Sequence, residues 1–245
     1  MSRPERAVAE VELSVVIPAY LEEENLRVVL PRLREVLRGS GRTCEVLVVD
    51  VQRPADNTRA VCEANGVEHC PREGGDGYAD AVRTGIARAR GRWILFMDAD
   101  GSHAPEFIPR LLEHAESHDV VVASRYVEGG ATENPPLLIW MSRALNVVYR
   151  RVLRIPCRDV SNSFKLYRAD RLKPLSLACA HFDVIEEILV KMALAPEGVR
   201  IKEVPFVFKA RMFGVTKRDL LTFMLSFLVT LGRLLWMRVR FARRP

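Results

Sequence analysis

The sequence predicts an α/β fold with a mainly parallel central sheet and helices on both faces. Three observations predict it. Short apolar runs such as "LSVVIP", "EVLVV" and "VVVAS" are nearly unbroken, they alternate with segments of helical period, and acids stand just after two of them, in "VLVVD" and "WILFMDAD". Strands buried on both faces read as continuous apolar runs, whereas one-sided sheets alternate. In an open parallel sheet the ligand crevice lies beyond the carboxyl ends of the strands, so acids there point into a site rather than into the core.

Taken in order, "LSVVIPAY" predicts the first strand and "EENLRVVLPRLREVLR" a helix with leucines and valines at 3.6-residue spacing, interrupted at Pro31. "CEVLVVD" predicts a second buried strand, "NTRAVCEANG" a helix and "VEHC" a short third strand. "YADAVRTGIARAR" is a helix, "WILFMDAD" a strand, "APEFIPRLLEHAESH" one helix and "DVVVASRY" a further strand. After Tyr126 come a loop, the long amphipathic helix "LLIWMSRALNVVYRRVLRI", a strand in "NSFKLYR", a helix near "FDVIEEILVKMALA" and a strand in "VRIKEVPFVFK". No linker separates these from the first half, so they complete one domain over residues 1–217, followed by a basic, amphipathic segment over 218–245.

With 245 residues, 49% of them hydrophobic and 28% charged, the chain can bury a true core without disulfides or metals as staples. A formal net charge of +6 favours anionic partners such as phosphates, nucleotides or lipid headgroups. Five scattered cysteines without a CxxC spacing fit a reduced, cytosolic compartment, and the polar opening "MSRPERAVAEVE" does not read as a signal peptide. Nucleic-acid binding would rest on charge alone, because the arginines of the tail lie among apolar residues and not beside stacking platforms.

The stretch "GRWILFMDADGSH" carries the chemistry. Asp98 and Asp100, one alanine apart at a strand exit, suit a hard divalent cation such as Mg²⁺ or Mn²⁺, which prefers oxygen ligands and keeps water and substrate phosphates in its shell. A competing reading makes Asp100 the cap of a helix beginning near Pro105, which leaves Asp98 unexplained.

Seven segments in order resemble glycosyltransferase family 2, with the GT-A fold, and in particular its dolichol-phosphate-mannose-synthase-like branch. They are "VVIPAYLEEENL", "EVLVVD", "GYADAVRTGI", "DADGSHAPE", "ASRYVEGG", "RDVSNSFKLYR" and "EVPFVFKARMFGVTK". The resemblance implies an inverting, metal-dependent transfer of a sugar from a nucleotide diphospho-sugar, such as GDP-mannose, to a polyprenyl phosphate. It implies donor contacts at Pro18, Tyr20, Glu22, Asp50, Asp80, Asp98, Ala99 and Asp100, with the metal on Asp98 and Asp100. Arg211 and Lys217, around Gly214, would close over the diphosphate. Arg125, with Ser142 and Arg143 on the long helix, would hold the acceptor phosphate, and Asp159 would lie near the reaction centre unless it forms a local ion pair with Arg158.

The chain departs from the family pattern in places. Leu21 stands where Asn usually precedes Glu22, Val51 follows Asp50 where a second acid is usual, Ala79 replaces a glycine, and Ser102 replaces a common glutamine. Asp56 is expected to cap the following helix, and Glu187 to pair with Lys191 four residues on. His103 stands open between orienting or ligating the metal site and a capping or surface role. Trp93, Phe96 and Met97 read as core.

Leu220 to Gly232 is a 13-residue run without charge, and a bilayer span needs about 20 apolar residues. With Arg233, Arg238, Arg240, Arg243 and Arg244 crowding its end, the tail fits a helix lying in the membrane interface, its arginines reaching anionic headgroups. Packing on the domain and a homo-oligomer interface are the competing readings. The expected location is cytoplasmic, peripheral on the cytosolic face of the membrane. Two functional alternatives stand beside lipid glycosylation: transfer to a saccharide or small molecule, with Asp159 or Glu187 as base, and nucleotide-sugar binding without turnover.

Overall fold

The structure, a computed structural model, describes residues 10–214 and 229–239. Lys217, the apolar run as far as Leu228, and Arg240, Arg243 and Arg244 lie outside the described residues. Seven strands form one sheet in the order β3-β2-β1-β4-β7-β5-β8. They are β1 (Leu13–Pro18), β2 (Cys44–Asp50), β3 (Glu68–Pro71), β4 (Trp93–Phe96), β5 (Val120–Ser124), β7 (Lys165–Arg168) and β8 (Ile201–Pro205). All pairings are parallel except those of β7, which runs antiparallel to both β4 and β5. A separate parallel ribbon joins β6 (Ala131–Thr132) to β9 (Val207–Phe208).

The strands alternate their side chains between two cores, as the period of two requires. Val16, Leu47, Val49, Ile94 and Phe96 face the helices α3 (Tyr78–Arg88), α5 (Pro136–Val152) and α7 (Val184–Leu194). Leu13, Val15, Ile17, Val48 and Leu95 face α1 (Glu23–Gly39), α2 (Thr58–Ala64) and α4 (Ile108–Leu112). The short α6 (Ala169–Leu172) follows β7 directly. A helix over residues 229–239, here α8, belongs to the first core through fully buried Leu234, with Leu231, Leu235 and Met237 against it.

Two expectations about helices need correction. Pro31 does not interrupt α1, which runs unbroken for 17 residues. Pro31 sits on its exposed face, where the carbonyl that loses its partner can be met by water. The single helix expected over "APEFIPRLLEHAESH" is instead three short pieces, 3₁₀ turns at Pro105–Phe107 and Ala115–Ser117 flanking a five-residue α4. Pro105 and Pro109 remove two backbone donors near its start, and the chain must then turn back into β5.

Candidate active site

The parallel strands deliver their carboxyl ends to one edge: Pro18 and Tyr20 after β1, Asp50 at the end of β2, Asp98 after β4 and Arg125 after β5. Asp98 and Asp100 are partly exposed there, their side chains 25% and 19% accessible. Ala99 between them is buried. Ser163 Oγ donates to Asp98 Oδ1 (3.0 Å), and the backbone N–H and hydroxyl of Ser102 donate to Asp100 Oδ1 (3.0 and 2.6 Å). Asp100 thus shapes its own turn and does not cap the 3₁₀ turn at Pro105, whose first residue is preceded by Ala104 without a side-chain cap.

Beneath Asp98, His103 is fully buried and neutral by construction of its bonds. Its Nδ1 accepts the Asp98 backbone N–H (2.9 Å), which leaves Nε2–H to donate to Asn162 Oδ1 (3.2 Å). Burial lowers its pKa further, and the ring stacks on Phe164 at 4.7 Å. Both ring nitrogens are therefore spent, and His103 orients the acid pair rather than ligating.

A segment from residues 209 to 214 crosses this edge. Lys209 N–H donates to the Ser102 carbonyl (3.3 Å), Met212 N–H to the Asp100 carbonyl (3.0 Å) and Phe213 N–H to Asn25 Oδ1 (3.1 Å). Arg211 bridges two acids, donating from Nη1 to Asp100 Oδ2 (3.2 Å) and from Nη2 to Glu22. Gly101 permits this close crossing: its φ is +80°, and a Cβ there would lie 2.4 Å from the Met212 methyl.

The acids fit a hard divalent cation. Among the described residues no group of three or more His, Cys, Asp and Glu side chains could enclose a metal, so these residues supply two carboxylates at most. That donor set suits Mg²⁺ or Mn²⁺, which complete their shells with water and phosphate oxygens, and not a structural zinc. The Arg211 guanidinium resting on Asp100 and Glu22 marks the same place as one that attracts positive charge.

On the other side, Arg125 and Asp159 form a buried bidentate pair. Arg125 Nε donates to Asp159 Oδ2 (2.8 Å) and Nη2 to Oδ1 (2.7 Å), while the Arg125 backbone N–H also reaches Oδ2 (2.8 Å). Burial alone would lower the Arg125 pKa; the Asp159 charge outweighs it and the net shift is upward. Arg158, the partner considered from sequence, makes no ion pair with Asp159; its backbone N–H donates to Glu203 (2.8 Å), as does that of Asp159 (3.0 Å).

The residues 159–163 tie both halves together. Ser161 Oγ accepts from Arg125 Nη2 (3.0 Å) and from Asn146 Nδ2 on α5 (3.0 Å), Asn162 meets His103, and Ser163 meets Asp98. Lys165, fully buried on β7, donates to the carbonyls of Val160 and Asn162 from below. Ser142 on α5 accepts from Asn146 through its carbonyl (2.8 Å), and the Arg143 guanidinium lies 5.5 Å over the Tyr126 ring.

Nearer the first strands, Asp50 is buried, its oxygens meeting the Val51 N–H (2.8 Å) and His69 Nε2 (3.3 Å); burial raises its pKa against both contacts. Glu22 is buried and accepts from Asn25 (2.6 Å), whereas Tyr20 is exposed. Asp80 spends its carboxylate on the start of α3, accepting from the Gly77 N–H (3.0 Å) and Arg83 (2.6 Å). Asp56 is not the N-cap of α2, which is Asn57 without a side-chain cap bond; from one residue earlier it accepts the Thr58 N–H (3.1 Å) and also the Glu23 N–H (3.0 Å), tying the start of α2 to α1. Glu187 pairs with Lys191 (2.7 Å) and also accepts the N–H groups of Ala178 and Cys179, remote from the acid pair in the hydrogen-bond network.

Sequence reasoning missed Arg72, which follows β3. It is buried, with its pKa lowered by burial, donates to the carbonyls of Asp76 and Ala19, and leaves Nε without a partner among the described residues. A basic residue placed straight after a third strand was the available signal. Asn162, Ser163, Lys165 and Glu203 were also missed, because their partners come from strands distant in sequence.

The model of glycosyl transferase family 2 matches residues 14–175, which span the acid pair, Arg125, α5 and the 159–163 segment. The chain belongs to this family. Over 217 residues it is 35% identical to the undecaprenyl-phosphate mannosyltransferase of Micrococcus luteus, covering 82% of this chain and 85% of that one. It is 31% identical over 213 residues to the dolichol-phosphate mannosyltransferase of Pyrococcus furiosus, covering 84% of this chain but 59% of the relative. It is also 31% identical over 215 residues to the polyprenol monophosphomannose synthase of Mycolicibacterium smegmatis, covering 83% and 79%. Glucosyl-3-phosphoglycerate synthase from Mycobacterium tuberculosis, crystallised with Mn²⁺, UDP and glucosyl-3-phosphoglycerate, superposes with a TM-score of 0.68 over 96% of this chain and 86% of that one. At 18% identity that likeness shows the GT-A fold alone. As a family 2 member, the chain is a glycosyltransferase that uses a nucleotide-sugar donor.

Proposed function

We propose that this family 2 glycosyltransferase moves a mannosyl residue, with inversion, from a nucleotide diphospho-sugar to a polyprenyl phosphate at the cytosolic surface of a membrane. The observation that carries the reading is the 31–35% identity, over more than four fifths of the chain, to three relatives each named for mannosyl transfer to a polyprenyl-type phosphate. The exposed aromatic and aliphatic side chains of α5 and α8, described below, support the membrane part.

Asp98 and Asp100 would hold Mg²⁺ or Mn²⁺, which when bound supplies Lewis-acid neutralisation of the diphosphate. The chain's own part is orientation and charge. Arg211, already seated between Glu22 and Asp100, donates to diphosphate oxygens as negative charge develops on departure. Lys217 carries the same assignment by resemblance. Pro18, Tyr20, Glu22, Asp50 and Ala99 line the strand edge for nucleotide and sugar, and Asp80 supports that edge through the helix cap.

Arg125 turns toward Asp159 with Nε and Nη2, and its Nη1 has no partner among the described residues. The Nη1 N–H groups, with Ser142 and Arg143, orient an acceptor phosphate. A phosphate nucleophile is already anionic and needs positioning more than a strong base. A saccharide acceptor would need a free carboxylate, yet Asp159 has both oxygens on Arg125 and Glu187 is held by Lys191.

The test offers the purified chain a labelled GDP-sugar and, in parallel, polyprenyl phosphate, free polyprenol, 3-phosphoglycerate and a monosaccharide. Label entering the organic phase only with the lipid phosphate is expected. Equal transfer to polyprenol or to a water-soluble acceptor would reject the assignment.

A further inference from the structure

On the outer side of the Arg125 pair lies a second feature, and of its cations the transfer reaction employs Arg143 alone. A depression of about 220 Å³ is lined by Tyr126, Arg143, Asn146, Val147, Arg150 and Arg158. It is smaller than the roughly 300–1,000 Å³ of pockets that take drug-sized ligands, and so suits one small polar group better than a nucleotide. Half of its lining is arginine, and none of these three side chains forms an ion pair among the described residues. Two neighbouring acids are committed: Asp159 to Arg125, and Glu203 to Ser124 and the backbone N–H groups of Arg158 and Asp159. Like charges around one concavity focus an anion there.

The surroundings say which anion. Trp140, Arg143, Val147 and Arg150 recur at intervals of three and four along α5 and share one face. Trp140 is 69% exposed and Leu137 at the start of the helix 64%. α8 adjoins the far end of α5, where Arg238 donates to the Leu153 carbonyl, and it presents Trp236, 59% exposed, with Val229 and Val239. A soluble phosphate compound has no use for an apolar, tryptophan-bearing border. A bilayer surface does, because indole rings lie at headgroup depth and arginines reach phosphates from apolar stems.

We infer that the outer part of this pocket, at Arg150 and Arg158, binds the phosphodiester headgroup of an anionic membrane phospholipid, beside the acceptor phosphate that Arg125, Ser142 and Arg143 orient. It deepens the membrane part of the proposed function and rests on it. Asn146 forms part of the lining and also holds the backbone N–H groups of Val160 and Ser161 (2.6 and 3.1 Å). A headgroup seated here therefore fixes the reaction centre at a set height and orientation above the bilayer.

The experiment sediments the full chain with vesicles of phosphatidylcholine, with or without phosphatidylglycerol, in the absence of donor and acceptor. Arg150→Gln with Arg158→Gln is expected to weaken binding to the anionic vesicles about 25-fold, roughly fivefold for each surface arginine, and to leave binding to neutral vesicles unchanged. Arg34→Gln with Arg59→Gln, which removes the same charge elsewhere, is expected to cost much less. The KM for detergent-solubilised polyprenyl phosphate should not move in the pocket variant. Unchanged vesicle binding, or an equal loss in the Arg34 and Arg59 control, would overturn the inference. A raised KM without loss of vesicle binding would give the pocket to the acceptor, and saturation by inorganic phosphate that leaves vesicle binding intact would give it to a free anion. Because no transfer is measured in the vesicle assay, a chain that failed to glycosylate polyprenyl phosphate would still report on the pocket.

Discussion

Leu21 sits in the left-handed region at φ 55°, 42% exposed, in the turn after β1. A β-carbon in that region costs about 1–2 kcal/mol, and Asn tolerates it best among residues with side chains. Leu21→Asn should therefore raise stability by about 1 kcal/mol in urea unfolding, since little apolar burial is lost. The departure from the family pattern was visible in the sequence; that the chain keeps the strained conformation was not, because only the backbone reveals it. Asp159 was ambiguous for a related reason. Its neighbour Arg158 offered a local pair, whereas the structure brings Arg125 to it from a different strand. Asp159→Ala leaves a buried guanidinium unpaired and should cost about 3–5 kcal/mol, with loss of transfer. A loss under 1 kcal/mol by chemical denaturation would mean that water reaches Arg125.

Among the elements, β1, β2, β4 and β5 were legible because each is a nearly continuous apolar run, and the amphipathic α1 and α5 because their period is regular. The region from Pro105 to Ser117 was not, since its apolar spacing is helical while its prolines break the hydrogen-bond ladder. α7 also offers a titration. Burial raises the Glu187 pKa, but the Lys191 ammonium and the N–H groups of Cys179 and Ala178 outweigh it, and the net shift is below the ordinary 4.5. A depressed acid stabilises the fold above its unfolded pKa and loses that contribution as pH falls through the folded value. Glu187→Gln should thus be less stable than the parent at pH 7, and the gap should close below about pH 4.5. A gap that persists at pH 3 in urea midpoints would show that charge is not what holds residues 178–179 to α7.

At the scale of the molecule, the mainly parallel sheet gathers the carboxyl ends of β1, β2, β4 and β5 on one edge, and that placement turns scattered residues into a site. The acid pair, Arg125 and Asp159 could be named from sequence through a family resemblance. The antiparallel insertion of β7 between β4 and β5 could not, yet it carries the 159–163 segment between the acid pair and Arg125. The tail reading is divided by the same logic: Leu234 anchors α8 in the core while Trp236 faces outward. The central claim is that paired aspartates hold a cation beside a departing nucleoside diphosphate while a sugar passes to a lipid phosphate. Mass spectrometry of polyprenyl phosphate, incubated with a panel of nucleotide sugars and either Mn²⁺ or a chelator, tests it most directly. The account predicts a hexosyl polyprenyl phosphate with Mn²⁺, none with chelator, and none from folded Asp98→Asn or Asp100→Asn. Full product in chelator, or from either variant, would contradict it.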